Sequence, residues 1–224
     1  MTLAARLAAV DAQIADAARS AGRDPAALTR IVVTKFHPAS LVRELVSLGV
    51  RDVGENRHQE AVAKIAEVGD PQPAWHFVGQ LQSNKARAVR AYAAAVHSVD
   101  RASLVDALAT DEAAEQLGVF LEVGLSAEPG RGGIPPAEVE ALATRVLAAP
   151  GLRLLGVMGV APLGDDPRVA FGRLRSSSEL VRGLDPAASA ISAGMSGDFR
   201  EAIQEGATHL RIGTAITGKR PTAG

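Results

Sequence analysis

Lys35 closes a short β-branched run, Arg30-Ile31-Val32-Val33-Thr34-Lys35, that shows no polar alternation. A run of that kind is the pattern of a strand buried on both faces in a parallel sheet. A lysine at its end has a desolvated stem and an amine able to lose its proton, as a Schiff-base lysine requires. The competing reading is a strand-end lysine whose amine reaches out to solvent. Two later segments, Ser192-Ala193-Gly194-Met195-Ser196-Gly197-Asp198 and Gly213-Thr214-Ala215-Ile216-Thr217-Gly218, offer small residues and free backbone N–H groups, which together suit a phosphate. Gly-rich turns serve purely structural ends just as well.

Gly213 to Lys219 also spells the Gly-x-x-x-x-Gly-Lys core of a P-loop. Arg220 stands where the magnesium-holding Ser or Thr belongs, and the stretch to Gly224 is expected to leave no room for the following helix. Nucleotide hydrolysis is therefore not expected, whereas a backbone cradle for one phosphate is. Arg211, just before that loop, must find an acceptor if it points inward, either a carboxylate or a ligand atom. Asn56 in Gly54-Glu55-Asn56 is a helix cap or, by position, a ligand contact. His76, Gln80, Gln82, Asn84 and Lys85 crowd one strand and its loop, a polar density that favours a binding face. The five histidines show no HExxH or i, i+4 pairing, so no metal site is expected, and no Gly-x-Ser-x-Gly elbow is present. With no cysteine, disulfides, thiolate metal sites and a cysteine nucleophile are excluded.

The elements that must carry these residues alternate regularly. Leu3, Leu7, Val10 and Ile14 recur at helical spacing before Gly22 and Pro25. Strands are expected near 30–35, 50–53, 75–78, 96–99, 119–123, 152–158, 190–192 and 209–212. Helices fall between them, including one capped by Asp100 and running through Leu117. Eight strand–helix alternations in 224 residues match an α/β protein, a closed (β/α)8 TIM barrel over residues 1–224 with an extra N-terminal helix. An open doubly wound sheet is the runner-up, and it would usually carry a glycine fingerprint after its first strand. In a barrel the strand C-termini form the active face, and phosphate commonly binds after strands seven and eight.

The balance of 24 Lys plus Arg against 25 Asp plus Glu argues against nucleic acid and against a polybasic membrane anchor. No apolar run approaches a bilayer span, and the N-terminal stretch is broken by Arg6, Asp11 and Asp16 without a secretory cleavage pattern, so a cytoplasmic protein is expected.

A lysine ending strand one, a phosphate cradle after strands seven and eight, and an arginine on strand eight form a constellation that resembles the YggS/PROSC family of pyridoxal phosphate homeostasis proteins. The resemblance spans nearly the whole chain. It is carried by Val32-Val33-Thr34-Lys35, Gly54-Glu55-Asn56, the segment Trp75 to Lys85, His97-Ser98-Val99-Asp100, Gly156-Val157-Met158, Gly194-Met195-Ser196 with Asp198, and Arg211 to Ile216. Leu81-Gln82-Ser83-Asn84-Lys85 and Arg211-Ile212-Gly213-Thr214-Ala215-Ile216 are its strongest parts, since a generic barrel demands neither. The resemblance implies a relative of the alanine racemase N-terminal barrel that holds pyridoxal 5′-phosphate as an internal aldimine on Lys35. Ser196, Gly213 and Thr214 would bind the phosphate, Arg211 would face the pyridine nitrogen and Asn56 would lie beside the ring. Phe36-His37, Arg57-His58, Gln80, Ala193 and Gly197 depart from the family's commoner residues. Of these, Phe36, Arg57 and Gln80 are expected to flank the cofactor mouth.

An alanine racemase needs two bases, a lysine and a tyrosine, with help from a second domain. The lone tyrosine, Tyr92, is expected outside the strand ends, and no residues are expected to remain for a second domain. The expectation is a monomeric carrier without catalytic residues that binds, buffers and delivers the cofactor, with pyridoxal-phosphate-dependent apo-enzymes as partners. Two alternatives stay open: an amino-acid racemase or lyase with an unidentified second base, and a phosphate-binding barrel enzyme in which Lys35 is an electrostatic clamp.

Overall fold

Eight short runs of apolar and small residues form strands that pair in parallel and in chain order: β1 Thr29–Val33, β2 Asp52–Glu55, β3 Ala74–Phe77, β4 Ala93–Val99, β5 Leu117–Glu122, β6 Leu152–Met158, β7 Ala190–Ser192 and β8 His209–Ile212. β8 returns to β1, from Thr29 opposite His209 to Val32 opposite Ile212, and closes a (β/α)8 barrel. The strands lack polar alternation because helices cover one face and the barrel interior fills the other. This computed structural model describes residues 1–112, 115–126 and 132–219.

The helices are α1 Leu3–Ser20, α2 Ala39–Ser47, α3 His58–Val68, α4 Ala86–Arg90, α5 Ala102–Leu108, α6 Val139–Ala148, α7 Pro167–Leu184, α8 Phe199–Gln204 and α9 Thr214–Thr217. α1 starts where the Thr2 hydroxyl accepts the Ala5 N–H, and it buries Leu3, Leu7, Val10 and Ile14 against the barrel's helical shell beside α8 and α9. α7 opens on Asp166, which accepts the Arg168 N–H, with Pro167 at its first position.

Three expectations shift. The helix after Asp100 ends at Leu108, not Leu117: Thr110 N–H turns away to the Pro150 carbonyl, and Leu117 already belongs to β5. Its flanking residue is Arg101, with which the Asp100 carboxylate pairs instead of capping the helix. Lys35 lies two residues beyond β1 rather than at its end.

The core has two compartments. Most buried apolar side chains, Leu104, Leu108, Phe171 and Leu174 among them, fill the layer between strands and helices, each contributing about 1.5–3 kcal/mol. Inside the barrel the apolar cluster is small, Ala95, Phe120 and Met158, and it shares the space with buried His76, His97, Ser192 and Arg211. Among the described residues no helix is long and apolar enough to cross a membrane, and no three metal-ligating side chains gather.

Candidate functional site

At the C-terminal ends of β1, β2, β7 and β8 lies a cavity of about 460 Å³. Lys35, Asn56, Ser196, Arg211, Gly213 and Thr214, drawn from four separate stretches of the sequence, all line it.

The β1 side is built on a buried anchor. Thr34 N–H bonds to the Gly54 carbonyl, its hydroxyl donates to Glu55 Oε1 at 2.6 Å, and its carbonyl accepts from Lys64 Nζ at 2.8 Å. Lys64 and Glu55 are themselves a buried ion pair, Nζ to Oε1 2.5 Å. Burial pushes the Glu55 carboxyl up, against the pull of Lys64 and Thr34. Beyond this anchor the chain turns outward. Phe36 adopts φ +68°, in the left-handed region that disfavours a Cβ, and its N–H bonds to Glu60. Lys35 is exposed, so its stem is not desolvated as the strand pattern suggests. Its placement past the strand end, in the turn, is the reason. Its Nζ lies 5.9 Å from the centre of the Phe36 ring and makes no hydrogen bond or ion pair among the described residues. It is a free primary amine beside the cavity.

Asn56 follows Glu55 at the end of β2. It does not cap α3, whose flanking residue is Arg57. Instead Asn56 Oδ1 is buried and has no hydrogen-bond partner among the described residues. The β3 loop backbone presses against it at Gly79, where a Cβ would lie 2.3 Å from the Asn56 carbonyl oxygen. An unpaired buried acceptor on a cavity wall costs free energy until something fills the cavity.

The β7 and β8 side is cross-linked. Gly194 takes φ +88°, and a Cβ there would meet Ala202 Cβ at 2.8 Å and Phe199 Cα at 2.9 Å, so only glycine permits this turn. Asp198 Oδ1 accepts the Met195 N–H at 2.6 Å, and Ser196 Oγ accepts the Ala215 N–H at 3.3 Å, joining the two loops. The backbone N–H groups of Ser196, Gly197, Gly213 and Thr214 have no acceptor among the described residues. Four free donors on one wall form an anion cradle.

Arg211 closes the floor. It is 5% exposed, Nη1 donates to Ser192 Oγ at 2.7 Å and Nη2 to the Gly159 carbonyl at 3.0 Å, while Nε makes no hydrogen bond among the described residues. No carboxylate pairs with it, which removes the structural ion-pair reading among those residues. Burial pushes its guanidinium down to about 10, with Asp198 and Glu122 pulling the other way, so it stays charged at neutral pH.

Other sequence candidates fall elsewhere. His76 points into the barrel interior, and Gln80, Gln82, Asn84 and Lys85 do not line the cavity. Tyr92 precedes β4, its ring stacked on His58 at 5.9 Å, its hydroxyl buried without a partner and its pKa raised by burial and by Glu55. Arg220, whose identity excludes a P-loop, lies outside the described residues. Sequence reasoning missed Glu122 at the end of β5, although a lone acid inside Val119-Phe120-Leu121-Glu122-Val123 was the signal. Burial, helped by Asp100 and opposed by Arg211, pushes its carboxyl up to about 7.

Residues 6–221 match the family described as alanine racemase, N-terminal domain. The pyridoxal phosphate homeostasis protein of Pseudomonas aeruginosa is 43% identical, with 98% of this chain and 96% of that protein covered. Its namesake in Mycobacterium tuberculosis is 40% identical, with 96% and 91% covered. This chain belongs to the pyridoxal phosphate homeostasis protein family. Among solved structures, PipY of Synechococcus elongatus with PLP bound superposes with a TM-score of 0.84 at 34% identity, covering 97% of this chain and all of that one. Of the residues expected to flank the cavity mouth, Phe36 lines it and the Arg57 guanidinium lies 5.6 Å from the centre of the Phe36 ring. Gln80 packs instead beside Gly132, where a Cβ would lie 2.6 Å from its Nε2.

Proposed function

We propose that this protein binds pyridoxal 5′-phosphate in the cavity between β1, β2, β7 and β8, holds it through Lys35, and acts in cofactor homeostasis by buffering and delivering it. The observation that carries the reading is the convergence on one cavity of a free lysine amine, four unpaired backbone N–H donors and an arginine Nε without a partner. When bound, the cofactor supplies an electrophilic aldehyde carbon and a pyridine ring that withdraws electrons.

The chain's own groups divide the work. Ser196, Gly213 and Thr214 hold the phosphate with N–H and hydroxyl donors, and the four N–H groups suit an anion because they have no internal acceptor to give up. Arg211 faces the ring nitrogen with a donor only. A guanidinium that keeps its proton leaves the nitrogen neutral, a weaker electron sink than one paired with a carboxylate. Asn56, whose Oδ1 has no partner among the described residues, would lie beside the ring. Lys35 would hold the cofactor through its amine, which its exposure on the rim keeps in contact with water. These features favour a carrier over a catalyst. The same proposal has residues 1–224 working as one monomeric unit in the cytoplasm and passing the cofactor to pyridoxal-phosphate-dependent apo-enzymes.

One observation favours a second reading, an amino-acid racemase or lyase. Glu122, poised near 7, lines a smaller cavity of about 220 Å³ that shares Val160 with the main one, and such a carboxyl is suited to general-base work. Turnover of D- and L-amino acids that is lost in Glu122→Gln would establish it.

The visible spectrum tests the main reading. Protein purified without added cofactor is expected to be yellow, to lose that colour on borohydride treatment with the added mass retained on Lys35, and to be colourless as Lys35→Ala. Wild-type protein that stays colourless after incubation with pyridoxal phosphate would overturn it.

A further inference from the structure

The barrel interior carries a line of polar side chains that the cavity does not use. Asp52 opens β2 at the N-terminal end of the barrel, its side chain 29% exposed. Its Oδ1 lies 3.0 Å from His76 Nε2, and His76 Nδ1 lies 3.0 Å from His97 Nε2. His97 Nδ1 lies 2.8 Å from Ser192 Oγ, which is 2.7 Å from Arg211 Nη1. His76, His97, Ser192 and Arg211 are all buried, His97 and Ser192 completely. Four hydrogen bonds thus run through the barrel from a carboxylate at one end to the guanidinium under the cavity at the other.

With one proton on each imidazole, the end groups fix the direction of every bond. A guanidinium can only donate and a carboxylate can only accept. Ser192 Oγ therefore accepts from Arg211 and donates to His97 Nδ1; His97 Nε2–H donates to His76 Nδ1, and His76 Nε2–H donates to Asp52. In that arrangement the two imidazoles share one tautomer, with the proton on Nε2. The surroundings agree: burial, with His76, Arg211 and His209 adding to it, holds His97 well below the ordinary histidine range. His209 stands outside the line, with Nδ1 engaged by the Thr208 hydroxyl and its ring edge-on to His97 and Phe120. Glu122 and Asp198 act on the Arg211 end.

We propose that Ser192, His97, His76 and Asp52 are positioning residues for Arg211: the string holds Nη1 on a single acceptor, leaves Nε turned to the cavity, and polarises the guanidinium toward the cofactor's ring nitrogen. This rests on the reading of the cavity as a pyridoxal phosphate site. Aligned hydrogen bonds reinforce one another, so the charge of Asp52 acts on Arg211 across the barrel, although Asp52 does not line the cavity.

The test pairs two readouts on wild type, Ser192→Ala and Asp52→Asn. Nitrogen-15 NMR of histidine-labelled protein without added ligand reports the tautomers, and absorbance titration with pyridoxal phosphate reports affinity. In wild type His76 and His97 are expected to carry protons on Nε2 and none on Nδ1. Ser192→Ala is expected to mix the His97 tautomers and weaken binding about tenfold, the size of one charge-assisted hydrogen bond. Asp52→Asn keeps the shape, removes the charge, and is expected to mix the His76 tautomers and weaken binding about threefold, which a structural role at the barrel's far end would not do. Wild-type protein with Nδ1 protonated, or an Asp52→Asn protein with unchanged tautomers and affinity, overturns the relay even if Ser192→Ala does not fold. Wild-type protein with the expected tautomers that takes up no pyridoxal phosphate overturns the cavity reading instead, and the positioning role with it.

Discussion

The two walls of the cavity are made differently. On the β7 and β8 side the groups that frame the cavity are held by hydrogen bonds: Arg211 by Ser192 and Gly159, Ser196 by Ala215, and the Met195 turn by Asp198. On the β1 and β2 side the anchor stops at Thr34 and Glu55, and beyond it neither the Lys35 amine nor the buried Asn56 amide oxygen has a hydrogen-bond partner among the described residues. A phosphate and a ring nitrogen need donors fixed before the ligand arrives, because preorganised dipoles need no reordering on binding. A lysine that must form and release a bond needs freedom instead. Rigidity at the cradle and slack at the amine suit a site that loads and unloads.

Substitutions can break that contrast. The largest effect is expected at Arg211→Ala, which strands Ser192 and Gly159 in the interior and opens a cavity; the cost should be about 3–5 kcal/mol, read by urea unfolding. A loss below about 1 kcal/mol would mean that the tied wall is not structural.

Glu122 lies between the two extremes, and its sign is set by its raised pKa of about 7. The folded state keeps its proton to higher pH than the unfolded state, so this stability is present below about pH 4.5 and lost as pH rises through 7. Glu122→Gln should therefore gain up to about 3 kcal/mol at pH 8 relative to pH 5. Parallel pH profiles of unfolding for the two proteins would refute the assignment.

Phe36→Gly should relieve its left-handed backbone and stabilise the protein by about 1 kcal/mol. If the melting temperature falls instead, the ring's contacts with Lys35 and Arg57 outweigh the strain. The smallest change in stability belongs to Lys35→Ala. An exposed side chain whose amine meets only the Phe36 ring among the described residues should cost under about 0.5 kcal/mol, even as covalent capture of the cofactor disappears. A larger loss would show that the loose wall is load-bearing after all.

The barrel was legible in the sequence because buried parallel strands announce themselves as unbroken apolar runs. β6, β7 and β8 begin and end where the pattern places them. The helix expected through Leu117 failed because Ala-rich composition mimics helix where a tertiary bond, Thr110 to Pro150, ends it. At the site, Lys35, Asn56, Ser196, Arg211, Gly213 and Thr214 were found from strand-end position and family resemblance, and they share one cavity. The histidines were misread for the opposite reason. His76 looked like part of a binding face, but side-chain direction within a strand buried on both faces has no sequence signature, and only the closed barrel shows that it meets His97.

The barrel is sealed by its latest segment. β8 pairs with β1, the cradle residues Gly213 and Thr214 follow it, and Arg6 in α1 clasps the Ile216 carbonyl at 2.6 Å, fastening the beginning of the chain to α9. During synthesis, therefore, the cavity lacks its β8 wall until residues beyond 209 have left the ribosome. On the proposed reading, a chain stalled before β8 would carry Lys35 but neither Arg211 nor the Gly213 and Thr214 donors of the cradle.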